Sequence, residues 1–183
     1  MKALDADCVV TPIGDVVLVV DNGALVYLDF AENKTRLQRL LARRYGDFRL
    51  AYQAPLQPFR TQLAHYFAGD LAGLTDLPVS LSGTPFQQRV WLALREIPVG
   101  QTLSYGELAK KVGVPTGARA VGSTNGLNPI GLVLPCHRVL GANHTLTGYA
   151  GGIERKRWLL RHEGARFKDD RDSYDAVHKS TWA

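Results

Sequence analysis

The chain is 183 residues long, 45% hydrophobic and 21% charged, which suits a globular protein of one domain or two small ones with a real core. No apolar run approaches the roughly 18 residues of a membrane span and the N-terminus lacks a signal pattern, so a cytoplasmic protein with no membrane partner is expected. Its two cysteines, Cys8 and Cys136, lie far apart in unlike contexts, which argues against a disulfide framework and a zinc cluster. The net charge of +5 is unevenly spread: residues 1–83 carry 8 basic and 9 acidic side chains, residues 84–164 carry 10 and 4, and residues 165–183 carry 4 of each. A polyanion such as nucleic acid is a natural partner for the middle segment, although a merely solvated basic surface fits the charge equally well.

Two β-rich runs, Val16–Val20 and Ala24–Phe30, flank Asp21-Asn22-Gly23 and predict a hairpin. Leu37, Leu40 and Leu41 recur at helical spacing between Glu32 and Tyr45, and Phe59, Leu63, Tyr66 and Phe67 do so from Pro58 to Phe67. Cys8 and His65 fall short of the four ligands of a zinc site, so no metal is expected. This part, residues 1–80, reads as a small α/β scaffold without a catalytic constellation. Thr75 to Thr84, with Pro78 and Gly83, reads as a linker.

Thr84-Pro85 opens a helix as N-cap and first residue, and Val90, Trp91 and Leu94 give it an apolar stripe. Ser104 is the N-cap expected for a helix over Tyr105–Lys111. Gly113-Val114-Pro115-Thr116 then leads to a second helix, about Gly117 to Gly126, in a helix-turn-helix pattern. In that second helix Gly117, Ala118, Ala120, Gly122 and Ser123 surround one long side chain, Arg119. A helix with side chains is about 10–12 Å across and a minor groove about 6 Å wide, so stripping the helix to small residues lets it approach a duplex. Arg119 then serves as a wedge beside an extruded base; close helix packing with Arg119 in a surface ion pair explains the same residues. Asn128 before Pro129 turns the chain.

The apolar run Ile130–Leu134 reads as a buried strand that delivers Cys136 to its end. His137 and Arg138 follow, and cationic neighbours lower a thiol's pKa from about 8.5 toward the nucleophilic thiolate. On these residues alone a buried structural cysteine is the more ordinary reading. Beyond lies a glycine-rich loop, Gly148-Tyr149-Ala150-Gly151-Gly152, then a helix over Ile153–His162 with Arg155, Lys156, Arg157 and Arg161 as its basic residues. Glu163 at its C-terminal end opposes the helix dipole, a misfit that hints at a second job. Residues 165–183 read as a polar, mobile tail.

The combination resembles the O6-alkylguanine-DNA alkyltransferase family in its single-function bacterial form. Pro135-Cys136-His137-Arg138-Val139, Ser104-Tyr105, Ala118-Arg119-Ala120-Val121-Gly122, Asn128-Pro129, Gly148-Tyr149 and His162-Glu163-Gly164 carry the resemblance. It is close over 84–164 and looser over 1–80. The resemblance implies an α/β fold: a ribonuclease H-like N-terminal domain, then a mainly helical, winged-helix-like domain with the helix-turn-helix over 84–164. It implies a cofactor-free repair protein that binds double-stranded DNA in the minor groove and flips out O6-alkylguanine, or O4-alkylthymine. The alkyl group then passes once, irreversibly, to Cys136.

Roles follow by the same resemblance. His137, oriented by Glu163, takes the thiol proton through a water. Tyr105 protonates the departing guanine, and Asn128 holds the turn. Arg119, Ala118, Ala120, Gly122 and Ser104 meet DNA, and Tyr149, Val139 and Ala150 line the base pocket. A monomer in solution is implied, with cooperative assembly on DNA left open. Ala150 stands where some relatives have Ser, and Gly131 where some have Pro. Two competitors leave residues idle: a DNA-binding regulator needs neither Cys136 nor Glu163, and a Cys-His-Glu hydrolase has no use for Arg119. A damage-recognising relative without the acceptor cysteine would lack Cys136.

Overall fold

The computed structural model describes residues 1–169 of the chain. Lys2–Val9 (β1), Val16–Asp21 (β2), Ala24–Phe30 (β3) and Phe48–Ala51 (β4) form one sheet of order β3-β2-β1-β4. β2 and β3 make the expected hairpin. Asn22 and Gly23 take φ of 48° and 78°, left-handed values that suit the twist of a two-residue hairpin turn. α1, Lys34–Tyr45, carries the chain from β3 at one edge to β4 at the other, where β4 pairs parallel with β1. Neither β1 nor β4 stands out in the sequence. β1 has Asp5 and Asp7 among its apolar residues, and β4 is four residues long.

Strand alternation divides the sheet's side chains between two cores. Leu4, Val17, Val19 and Tyr27 meet Leu41 of α1 on one face. On the other, Val16, Leu18, Leu25 and Leu28 pack on α2, Phe59–Phe67, and continue into Val90, Trp91, Leu94, Val121, Leu134, Cys136 and Leu159. Sheet and helical segment therefore share a core. The stretch read as a linker is fastened to the sheet edge: the Leu25 amide donates to Pro78 (2.9 Å) and the Ser80 amide to Leu25 (2.8 Å), with Leu77 buried.

The second half contains α3 (Pro85–Leu94), α4 (Tyr105–Lys111), α5 (Ala118–Gly126) and α6 (Ile153–His162). Leu103–Ser104 (β5) and Val139–Leu140 (β6) pair in parallel and set α4 beside the Cys136 turn. Both predicted N-caps form reciprocal capping boxes, Thr84 with Gln87 and Ser104 with Glu107, each satisfying two amides that the helix itself leaves unpaired. α4 and α5 meet through a turn at Gly113 (φ 83°), and the Trp91 indole N–H of α3 donates 2.8 Å to the Thr124 carbonyl of α5. The α/β architecture with its helix-turn-helix is as expected.

Two expectations are corrected. Residues 130–134 are not a strand: Ile130 makes one bridge to Leu28, Leu132 turns to φ 68°, and the Leu134 amide donates back to Ile130 (3.1 Å). Continuous apolarity reflected burial, which a turn shares with a strand. The start of the supposed tail is also fixed. The Ala165 amide donates to Leu160 (2.9 Å), the Leu146 amide to Lys168 (2.8 Å), and buried Asp169 pairs with Arg157. Residues 170–183 lie outside the described residues.

Candidate active site

Between the α4–α5 pair and the sheet lies a cavity of about 290 Å³, lined among others by Cys136, Tyr105, Gly122, Asn128, Tyr149 and Arg36. Cys136 opens a single 3-10 turn, Cys136–Arg138, and is 7% exposed. Two asparagines hold the backbone on either side of it. Asn128 Nδ2 donates to the Leu134 carbonyl (2.7 Å) while its Oδ1 accepts from the Ile130 amide (3.0 Å). Asn125 Nδ2 donates to the Cys136 carbonyl (3.3 Å). Burial pushes the thiol pKa up, against the opposing Asn128 hydrogen bond and the positive charges of Lys156 and Arg36. The resting sulfur is therefore a protonated thiol, and a base must remove its proton before it can attack.

The candidate for that base stands next in the chain. His137 is 0% exposed, and its Nε2 lies 2.7 and 2.9 Å from the two Glu163 carboxylate oxygens. Arg138 grips the same carboxylate, donating from Nε (2.8 and 3.1 Å) and Nη2 (3.1 Å), and spends Nη1 on the Ile97 carbonyl (2.7 Å). Burial pushes Glu163 up, but the His137 and Arg138 contacts outweigh it and bring the pKa down to about 2. An ionised carboxylate only accepts hydrogen bonds, so Nε2 of His137 points a proton at it, and the tautomer that can act as a base has its lone pair on Nδ1. Nδ1 meets no hydrogen-bonding protein atom among the described residues. The misfit of Glu163 at the end of α6 is thereby explained.

Most of the other expected residues fall into two groups, with Ser104 and Val139 in neither. Tyr105, Gly122, Asn128, Tyr149 and Ala150 line the cavity with Cys136; Tyr105 Oη lies 3.5 Å from Thr147 Oγ1. Ala118, Arg119 and Ala120 lie on the outer side of α5, half to fully exposed, and among the described residues Arg119 has no ion-pair partner. Ser104 caps α4. Val139 is fully buried in β6 and is not on the cavity wall, so the geometry gives it a packing role behind the nucleophile.

Residues 85–165 match the family described as 6-O-methylguanine DNA methyltransferase, DNA binding domain. The methylated-DNA–protein-cysteine methyltransferase of Salmonella typhimurium is 47% identical over 167 residues, covering 90% of this chain and 98% of that protein. The chain belongs to the methylated-DNA–protein-cysteine methyltransferase family. Its counterpart from Methanosarcina acetivorans is 42% identical over 155 residues, covering 85% and 95% of the two chains. The crystal structure of Mycobacterium tuberculosis OGT in complex with DNA superposes with a TM-score of 0.77 at 43% identity, covering 87% of this chain and 92% of that one.

Some features of this methyltransferase's site escape sequence reasoning. Arg36 reaches the cavity from α1 and donates to the Asn128 (2.7 Å) and Gly126 (3.3 Å) carbonyls. Lys156, one of the four basic residues read on the last helix, is 0% exposed; its Nζ donates to the Val139 carbonyl (2.6 Å). Burial lowers its pKa to about 8, with a negative Cys136 acting to raise it. A helical wheel signals neither, because both depend on what the rest of the chain brings alongside. Gly151 shows why the loop is glycine-rich: a Cβ there would come within 2.7 Å of the Phe30 ring and 2.8 Å of Tyr149. Among the described residues no three His, Cys, Asp or Glu side chains group as metal ligands, and no helix is long and apolar enough to cross a membrane.

Proposed function

We propose that this chain repairs DNA by moving the alkyl group of O6-alkylguanine, and of O4-alkylthymine, onto the sulfur of its own Cys136, once per molecule. The observation that carries the reading is a thiol at the cavity wall followed directly in the chain by a buried His137, whose Nε2 is paired with a Glu163 held ionised. Nucleophile, base and orienting acid in that order are the parts of an activated thiolate.

The step balances without a cofactor. His137 Nδ1 takes the thiol proton through a water, and Glu163 stabilises the imidazolium. The sulfur lone pair attacks the alkyl carbon from behind as the carbon–oxygen bond breaks. The electron pair leaves with the base oxygen, and Tyr105 supplies the proton that makes neutral guanine. Lys156 favours the thiolate by its charge. The product thioether has no leaving group that would return the thiol, so the protein is consumed.

Delivery of the base falls to α4 and α5. The relative's complex with DNA supports DNA as the partner. α5 presents Ala118, Ala120 and Gly122 toward the minor groove, and Arg119 fills the stack when the base turns into the cavity. Asn128 keeps the turn in register, Ser104 caps the first helix of the pair, and Tyr149 and Ala150 bound the base. Residues 1–80 serve as scaffold and 84–164 carry the chemistry, in a protein that is monomeric off DNA.

Mass spectrometry after mixing with a duplex that holds one O6-methylguanine tests this reading. One methyl group on the Cys136 peptide per repaired base is expected, and Cys136→Ser is expected to bind DNA and accept nothing. Repaired DNA beside unmodified protein would mean a turnover enzyme instead.

A further inference from the structure

We infer that α1 is a second DNA-contacting element, a cationic ridge that takes phosphates of the duplex beyond the recognition helix. The inference rests on the proposed reading of α5 as the groove-facing helix. Residues 1–83 are acidic in balance, yet five of their eight cations, Lys34, Arg36, Arg39, Arg43 and Arg44, fall within the 12 residues of α1, which hold no acid. Helix stability asks for only part of this: Arg43 and Arg44 lie in the last turn, where the helix dipole favours cations, but that does not account for Lys34, Arg36 and Arg39. Asn33 makes no side-chain cap, and the first turn holds Lys34 and Arg36 but no acid, although the positive end of a helix prefers anions. Arg39 and Arg43 stand four apart, where like charges repel. A helix shaped only for solvation would interleave Glu with these cations.

Position supplies the rest. Arg36, Arg39 and Arg43 follow at i, i+3 and i+7, hence on one face. Arg36 ties that face to the end of α5 through the Gly126 and Asn128 carbonyls and has Asp29 3.7 Å away. Arg44 is spent on Ser80. Arg39 and Arg43 are exposed, and among the described residues neither has an acidic partner. Arg43 also borders a groove of about 510 Å³ whose far wall includes Leu127 and Pro129, the residues that follow α5. The ridge thus continues the α5 surface rather than standing apart from it. A helix of 12 residues spans about 18 Å, the length of roughly five base pairs.

The test compares the full chain with Arg39→Gln/Arg43→Gln, measuring affinity for an undamaged duplex of about two helical turns against salt. Two lost phosphate contacts are expected to reduce the magnitude of the log–log salt slope by about 1.8, so that the wild-type advantage shrinks roughly tenfold between 50 and 200 mM salt. The difference is expected to vanish when the duplex is shortened by about five base pairs on the flank under α1. Alkyl transfer from free O6-benzylguanine, which has no phosphates, is expected to be unchanged and shows that the variant is folded. Equal slopes and affinities for the two proteins overturn the inference. So does a variant that binds as wild type but no longer self-associates on DNA, which would assign the ridge to a second copy of the chain. A wild-type protein that neither binds duplex nor gains a methyl group would instead sink the repair reading itself.

Discussion

Glu163 serves two neighbours with one carboxylate. Its oxygens face both His137 Nε2 and the Arg138 guanidinium, so it fixes the imidazole tautomer while its charge is balanced by a buried cation. Glu163→Gln would leave Arg138 buried without its counter-ion, an imbalance that costs on the order of 3 kcal/mol of stability. An amide can also donate, so the side on which His137 holds its proton is no longer imposed. Transfer from free O6-benzylguanine is expected to slow about 100-fold, the scale of a misplaced general base. Quench-flow with labelled substrate measures this, and urea titration gives the stability loss. A fully active variant would remove His137 and Glu163 from the proton's path.

The elements show how a short glycine loop and a small-residue helix frame the cavity. Gly151→Ala would drive a methyl group into the Phe30 and Tyr149 rings. Overpacking of this kind costs about 1–3 kcal/mol, and displacement of Tyr149 is expected to weaken base binding; a melting curve and a substrate titration report the two effects. On α5, Arg119→Ala is expected to slow repair in duplex DNA far more than reaction with the free base, because only the duplex has a stack to refill. Equal losses on both substrates would count against the wedge. The helices were legible because their ends are written locally: Thr84 and Ser104 cap where their chemistry says they should. Residues 130–134 were misread as a strand because burial leaves the same apolar mark on a turn. Cys136, His137 and Glu163 could be named as a group only through motif spacing, since Glu163 lies 26 positions after His137. Arg36 and Lys156 carried no local signal, because each acquires its role from a distant partner.

The molecule as a whole is joined by a core that runs from Val16 and Leu18 of the sheet to Val121 and Leu159. A local electrostatic tie near that core therefore bears on global unfolding. Glu163 has a folded pKa of about 2 against an ordinary 4.5, so the unfolded chain binds the extra proton first. The resulting stabilisation, about 3 kcal/mol on this shift, is fully present above pH 4.5 and is lost as pH falls toward 2. Urea midpoints measured from pH 6 to pH 3 are expected to fall, and Glu163→Gln is expected to flatten the decline. A wild-type midpoint that stays level over this range would mean that the carboxylate is not held as strongly as its contacts indicate.

The two asparagines beside the nucleophile have a mechanical meaning. Asn125 belongs to α5 and Asn128 follows it, and they grip the backbone at Cys136 and Leu134. The outer surface of α5 and the sulfur at the cavity wall are thus two ends of one short, stiff lever. A shift of the helix would be passed through these two hydrogen bonds to the backbone that carries the thiol. On the proposed reading of α5 as the groove-facing helix, undamaged DNA, which offers no alkyl group, should therefore still alter how fast a small thiol reagent finds Cys136.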